Sequence, residues 1–334
     1  MLYLTPTGEL WVVFADHAGE RHRRFYLSGG AVRAFEVEAG GQVVYVSEEG
    51  ALWVDNLLGT STLLLAERPP DGAEIDGLAV SPDGTQVAYV VKTPGADCMS
   101  TEFSDADGLW VVGTTGGPPR QLAQSHCREG DGGSFSVAFR SLPTWSPDGN
   151  RLLVPTSVSE GSYYGVLDLA EGTLRYPEPE TLLGGEAAWS RDGRAIIGTD
   201  SRFLAPASLL LVDASTFEVA LLLDGKALNV VTVAHYRRAD GRIAFWMAEF
   251  EEPKDLAYDL YLGTWNEGAF TYEQAVKIGI SRPWNVAWSA DETAVAVELH
   301  ATTNGEATSE VVLISLPPRQ VIRLDGSQAP RWGP

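Results

Sequence analysis

One short phrase recurs along this chain and constrains its fold more than any other feature. It consists of a strand-ending residue, then Ser-x-Asp-Gly (Ser-x-Asp-Glu in the last copy), then an alternating apolar run. The copies are AVSPDGTQVAYVV (79–91), TWSPDGNRLLVPT (144–156), AWSRDGRAIIGTD (188–200) and AWSADETAVAVEL (287–299). Looser versions stand at EVEAGGQVVYVS (36–47) and HYRRADGRIAFWM (235–247). The grammar is that of a tight turn between two strands. Pro presets φ, Asp accepts from its own downstream backbone, and Gly accepts a positive φ. The alternation that follows gives a strand with one face for each neighbouring layer.

A second pair of strands follows each phrase. Examples are ALWVDNLLGTSTLLLA (51–66), GLWVVGTTGGPPRQLA (108–123), YYGVLDLAEGTLRYP (163–177), SLLLVDASTFEVALLL (208–223), DLYLGTWNEGAFTYEQAV (259–276) and EVVLISLPPRQVIRL (310–324). Each unit is therefore a four-stranded antiparallel blade. Four-stranded units at periods of about 40–50 residues mark a β-propeller. Six complete units lie between residues 31 and 325, and the ends supply a seventh. LYLTPTGELWVVFADHAGERHRRFYL (2–27) reads as the last three strands of a blade, and QAPRWGP (328–334) as its first, with Trp332 standing where Trp145 and Trp189 stand. The expected fold is all-β, a seven-bladed propeller of four-stranded antiparallel blades closed by pairing of the N-terminal strands with the C-terminal strand; six blades are the alternative. Sharing one blade between the termini removes the free edge that each would otherwise expose.

Length and charge bound what such a chain does. Its 334 residues would ordinarily suggest two domains, but closed β architectures exceed the usual domain length, and 1–334 is read as one domain. Hydrophobic residues make up 44%, enough for a sizeable core. The formal net charge of −21 repels phosphate backbones and anionic lipid, so a nucleic-acid partner is not expected. No apolar run approaches the roughly 20 residues that span a bilayer, so direct membrane insertion is not expected either. The opening MLYLTPTGELWVV has neither a basic start nor a small-residue cleavage site. A monomer is expected.

The W-S-P-D-G turn followed by VAYV-type and LWVV…GGPPRQL strands resembles the WD-like repeats of TolB-type β-propellers. Similar repeats occur in the propeller domains of prolyl-oligopeptidase and dipeptidyl-peptidase enzymes. The resemblance covers essentially the whole chain, and is clearest in the blades starting near 77, 141, 185 and 285. It implies a protein- or peptide-binding or scaffolding module, often extracytoplasmic in bacteria. It is nearly silent on chemistry, because one fold hosts many functions.

Two long connections stand out, KTPGADCMSTEFSDADG (92–108) and QSHCREGDGGSFSVAFRS (124–141). In a blade of alternating strands both emerge on one face, opposite the Ser-x-Asp-Gly turns. That places Cys98 and Cys127, the chain's two cysteines, on neighbouring loops. A disulfide between them is expected and would argue for an oxidising, extracytoplasmic compartment; two unpaired thiols on polar loops are the alternative, compatible with a cytoplasmic location. AEFEEPKDLAYD (248–259) and LHATTNGEATSE (299–310) read as further insertions on that face. Long loops on a rigid scaffold are where binding usually resides.

Catalytic signatures are missing from the sequence. There is no G-x-S-x-G elbow, no H-E-x-x-H and no P-loop, so the peptidase resemblance carries over no catalytic residue. Two cysteines without C-x-x-C do not make a zinc ribbon. Among the five histidines, His17, His22, His126, His235 and His300, none is spaced as a metal pair; His126 and His300 fall near the loop-rich face and His235 on a first strand. Asp105 and Asp107, with Glu129 and Asp131, form weak candidates for Ca²⁺, which favours hard oxygen ligands. No cofactor is otherwise expected. Glu36 and Glu186 are the carboxylates a glycosidase would need to oppose, and nothing in the sequence pairs them.

Trp145, Trp189, Trp288 and Trp332 read as packing between blades. The residues just before each first strand should rim the loop-rich face: Arg33, Asp76, Arg140, Glu186, Asn229, Trp284 with Asn285, and Gln328. Such a rim suits a peptide or small polar ligand. The sequence thus points to a non-enzymatic protein- or peptide-binding propeller. A carbohydrate-active lyase or glycosidase, and a sensor domain of a larger anchored protein, are the alternatives.

Overall fold

A computed structural model describes all residues except 6, 17–18, 26, 28–29, 38–40, 57–60, 66–68, 70–71, 98–101, 131–132, 140–142, 159–160, 178–186, 201–207, 226–228, 237–239, 250–256, 267, 282, 290, 304–305, 317–320, 326–327 and 332–334. The described residues form strands and turns, with no α-helix among them. The strands assemble into seven antiparallel sheets, the seven-bladed β-propeller expected from the repeat. Two compact units divide the chain.

The first unit comprises Met1–Arg24 with Pro177–Gly333. Its closing sheet joins Leu2–Leu4, Leu10–Asp16 and Gly19–Phe25 to the C-terminal strand Gln328–Arg331. Leu2 lies opposite Arg331 and Leu4 opposite Gln328, so each terminal strand covers the other's edge. Trp332 lies outside the described residues. Three further sheets follow in chain order: Ala188–Leu223, Asn229–Ile280 and Pro283–Asp325. Their facing side chains make the cores. Phe245 and Met247 pack with Leu209 and Leu222; Trp246 and Leu260 pack with Val297 and Val312; Tyr3 packs with Ala296 and Leu313. The period-two pattern puts one set of side chains on each face, so every strand serves two cores.

The second unit comprises essentially Phe25–Tyr176. Its sheets are Val32–Leu65, Glu74–Gln124 and a larger sheet running from His126 to Arg175. Val44, Val54, Leu78 and Tyr89 share one core, and Ala88, Leu109, Trp145 and Leu152 the next. Trp145 also donates its indole N–H to the carbonyl of Ala79 at 3.0 Å, tying one first strand to its neighbour.

Two segments read from sequence as loops are strands instead. Residues 124–141 contain a hairpin, His126–Gly130 against Gly133–Phe139, and Ala138 and Phe139 then pair with Ser157 and Thr156. Residues 299–310 continue a ladder in which Leu299 faces Glu310 and Thr303 faces Glu306. The sequence holds a two-residue hairpin signal between each pair of strands, Asp131-Gly132 and Asn304-Gly305, and these four residues lie outside the described ones.

Candidate functional site

Each first strand runs toward its Ser-x-Asp-Gly turn, so the start of that strand and the end of the next share the opposite end of the sheet. In the second unit this end carries two ion pairs between described side chains. The Arg33 guanidinium on Val32–Val37 reaches the neighbouring first strand, donating to the Ile75 carbonyl at 2.9 Å and pairing with the Glu74 carboxylate at 3.1 Å. Asp76 on Glu74–Val80 pairs with Lys92 at 2.9 Å, across from it on the second strand. All four are partly exposed, so the ion pairs add little to stability.

In the first unit the same end of the Pro283–Asp325 sheet holds a buried carboxylate. The Glu298 side chain is 5% exposed. Asn285 donates its amide N–H to Glu298 Oε2 at 2.6 Å, and His300 Nε2 lies 2.7 Å from Oε1. The carboxylate has both oxygens occupied, as burial of a charge requires. It fixes the imidazole of His300, which is 51% exposed on a paired strand and not on a loop. Gln328 opens its strand, exposed, and sits opposite Leu4.

The remaining rim residues are placed as follows. Asn229 heads its strand opposite Glu249. Trp284 lies in the strand Pro283–Trp288. Arg140 and Glu186 lie outside the described residues, so the Glu36–Glu186 pairing does too. Glu298 is the group that the sequence reading missed. It looks like one more alternating position in AVAVEL, and only its burial distinguishes it.

The acidic residues of the long connections serve that connection. Asp107 is buried, and its carboxylate accepts the backbone N–H groups of Thr93 and Ser104. Gln124 donates to the Asp105 carboxylate, and Gln121 to the Asp105 carbonyl. Glu129 lies within the hairpin strand, and Asp131 is outside the described residues. Among the described residues no three His, Cys, Asp or Glu side chains converge as a metal site would need. Cys127 lies in the same hairpin strand, exposed; Cys98 is outside the described residues, and no described cysteine carries a free thiol.

The turn end is chemically different. In four turns a serine hydroxyl bonds the aspartate two residues on: Ser81–Asp83, Ser146–Asp148, Ser190–Asp192 and Ser289–Asp291, at 2.6–2.8 Å. That hydroxyl is the main cause holding each of these carboxyls below the usual range. The fourth turn departs from the others. Glu292 replaces glycine, and its buried carboxylate lies 3.3 Å from His235 Nε2 of the adjacent sheet. His235 in turn stacks on Trp288, with centroids 5.3 Å apart and 15° between planes.

No family model matches the chain. Over 147 residues, 44% of this chain, it is 29% identical to the uncharacterized peptidase YuxL of Bacillus subtilis (strain 168), of which that stretch is 18%. Among solved structures, one from a study of two prolyl endopeptidases gives a TM-score of 0.56 at 15% identity, covering 90% of this chain and 43% of that one. The C-terminal WD40 domain of Sif2 gives 0.55 at 13% identity, covering 88% and 73%. TolB from Acinetobacter baumannii gives 0.48 at 17% identity, covering 97% and 78%. At these identities the likeness is one of fold. The chain spans less than half the length of either peptidase.

Proposed function

We propose that this chain is a non-enzymatic propeller that binds a protein or peptide at the end of its blades opposite the Ser-x-Asp-Gly turns. The observation that carries this reading is the state of the polar groups there. Glu298 is fully engaged by Asn285 and His300, and so acts as a fixed anchor for an exposed imidazole. Arg33 and Lys92 are presented from strands, already oriented by Glu74 and Asp76. Groups held this way recognise a ligand at low ordering cost. A polar segment with both carboxylates and cations can replace these intramolecular partners. The partner is a protein or peptide, and the reading calls for no cofactor.

Panning a displayed random-peptide library on the purified chain tests this. Each recovered peptide should bind the wild type and weaken about tenfold either on Arg33→Ala, in the second unit, or on His300→Ala, in the first. Peptides indifferent to both substitutions, with the fold of each variant intact by circular dichroism, would count against it.

The Cys98–Cys127 bridge and an extracytoplasmic location belong to the same reading, supported by the lack of a free thiol among the described residues. A thiol assay on denatured, non-reduced monomer should then find none. Two free thiols would remove the argument for export.

A further inference from the structure

The edge strand Val219–Leu223, VALLL, is built unlike most of the other sheet edges. The fourth strand of a blade has a partner on one side only, and its outward N–H and C=O groups invite a further strand. Five of the seven fourth strands carry a charged side chain: GERHRRF, RQLAQ, TLR, AFTYEQAVKIGI and VIRLD. VALLL and STLLL do not. In VALLL two large apolar side chains are exposed, Val219 by 38% and Leu221 by 54%, where STLLL exposes one, Leu63 by 41%.

The register shows which backbone groups are available. Val219 faces Val212, Ala220 faces Leu211 and Leu221 faces Leu210. The same register brings Glu218 opposite Asp213, where the Asp213 N–H donates to the Glu218 carbonyl. Hydrogen-bonded and non-bonded pairs alternate along an antiparallel ladder. Ala220 therefore bonds inward to Leu211, and Val219 and Leu221 turn their N–H and C=O groups outward. The two residues with outward backbone are the two with exposed side chains.

Charge selects the occupant. Glu218 and Asp224 bracket the apolar run, both exposed. A second copy pairing antiparallel about Leu221 would set Glu218 against Asp224, like against like, in a chain of net charge −21. A basic-flanked strand meets opposite charge at both ends. We propose that Val219–Leu223 is a docking edge for an extended apolar peptide bracketed by lysine or arginine, added antiparallel as a fifth strand. This surface is separate from the polar blade end, and neither proposal depends on the other.

The probe is the fluorescein-labelled peptide Lys-Thr-Thr-Val-Thr-Val-Lys, which sets its valines opposite Leu221 and Val219. Its binding is measured by anisotropy against three controls: the same peptide with Glu ends, the same peptide N-methylated at both valines, and the Leu221→Pro protein. Proline is tolerated at an edge position whose N–H points outward, so Leu221→Pro should keep the wild-type unfolding transition while losing the donor. The expected result is saturable binding that falls about tenfold with Glu ends and is lost with N-methylation or with Leu221→Pro. Equal binding of the N-methylated peptide, no binding of the Lys-ended peptide, or a wild-type dimer that Leu221→Pro dissociates would each overturn the proposal.

Discussion

Glu292 stands where the three sister turns carry glycine, and its φ of +54° matches their +70°, +72° and +68° at Gly84, Gly149 and Gly193. A left-handed conformation costs an L-residue about 1–2 kcal/mol, so the backbone alone would favour glycine. The side chain supplies the offset: its carboxylate is buried and meets His235, whose ring lies on Trp288. A net hydrogen bond of this kind contributes about 0.5–1.5 kcal/mol. The two substitutions that remove the carboxylate should therefore differ. Glu292→Ala keeps the strain and loses the contact, whereas Glu292→Gly loses both. In urea unfolding, Glu292→Ala should be less stable than Glu292→Gly by about 1 kcal/mol. Equal midpoints would mean that the turn stores no strain. The sequence showed the departure, Asp-Glu where the three sister turns read Asp-Gly, but not its cause, because His235 lies far away in the chain and meets Glu292 only from the adjacent sheet.

At the scale of the element, the turns are an acid-sensitive part of the fold. The Ser81, Ser146, Ser190 and Ser289 hydroxyls donate to the turn aspartates and accept the backbone N–H of Gln86, Arg151, Ala195 and Ala294 at 2.9 Å. Asp213, in a turn of its own, is lowered to about 2, first by the Ser215 hydroxyl and then by the Thr216 and Ser215 amides. A carboxyl lowered in the folded state stabilises it fully above its unfolded value of about 3.9, and that contribution is lost as pH falls through the folded value. Stability should decline as pH drops from about 4 toward about 2. Ser146→Ala should be less stable near neutrality and show a shallower acid decline, checked by thermal unfolding across that range. An unchanged slope would contradict the assignment to these turns.

Strands and turns were legible in the sequence because each blade carries its own punctuation. The exceptions are two of the polar insertions. Residues 124–141 and 299–310 are polar, which suggests loops, yet Gly130 pairs with Gly133 and Thr303 with Glu306, and the ladders continue the sheet. Pairing, not apolar alternation, makes those segments strands.

For the whole molecule, the shared closing sheet was readable because LYL and QAP each fit one place in a blade that lacked the other. The binding end was readable only in part. Topology fixed which residues begin each first strand, so Arg33, Asp76, Asn285 and Gln328 could be named. It did not fix what they touch. Glu74, Lys92 and Glu298 emerge only when neighbouring strands are laid side by side, and His300 belongs to a ladder that read as a loop.

A partner held at the end of the blades opposite the Ser-x-Asp-Gly turns, as proposed, should shield the backbone there. Amide hydrogen exchange with and without a panned peptide tests it most directly. Exchange should slow around Arg33, Glu74–Asp76 and Lys92 in the second unit, or around Asn285 and Glu298–His300 in the first, with the turns at Ser81–Gly84, Ser146–Gly149, Ser190–Gly193 and Ser289–Glu292 unchanged. Protection confined to those turns would contradict it.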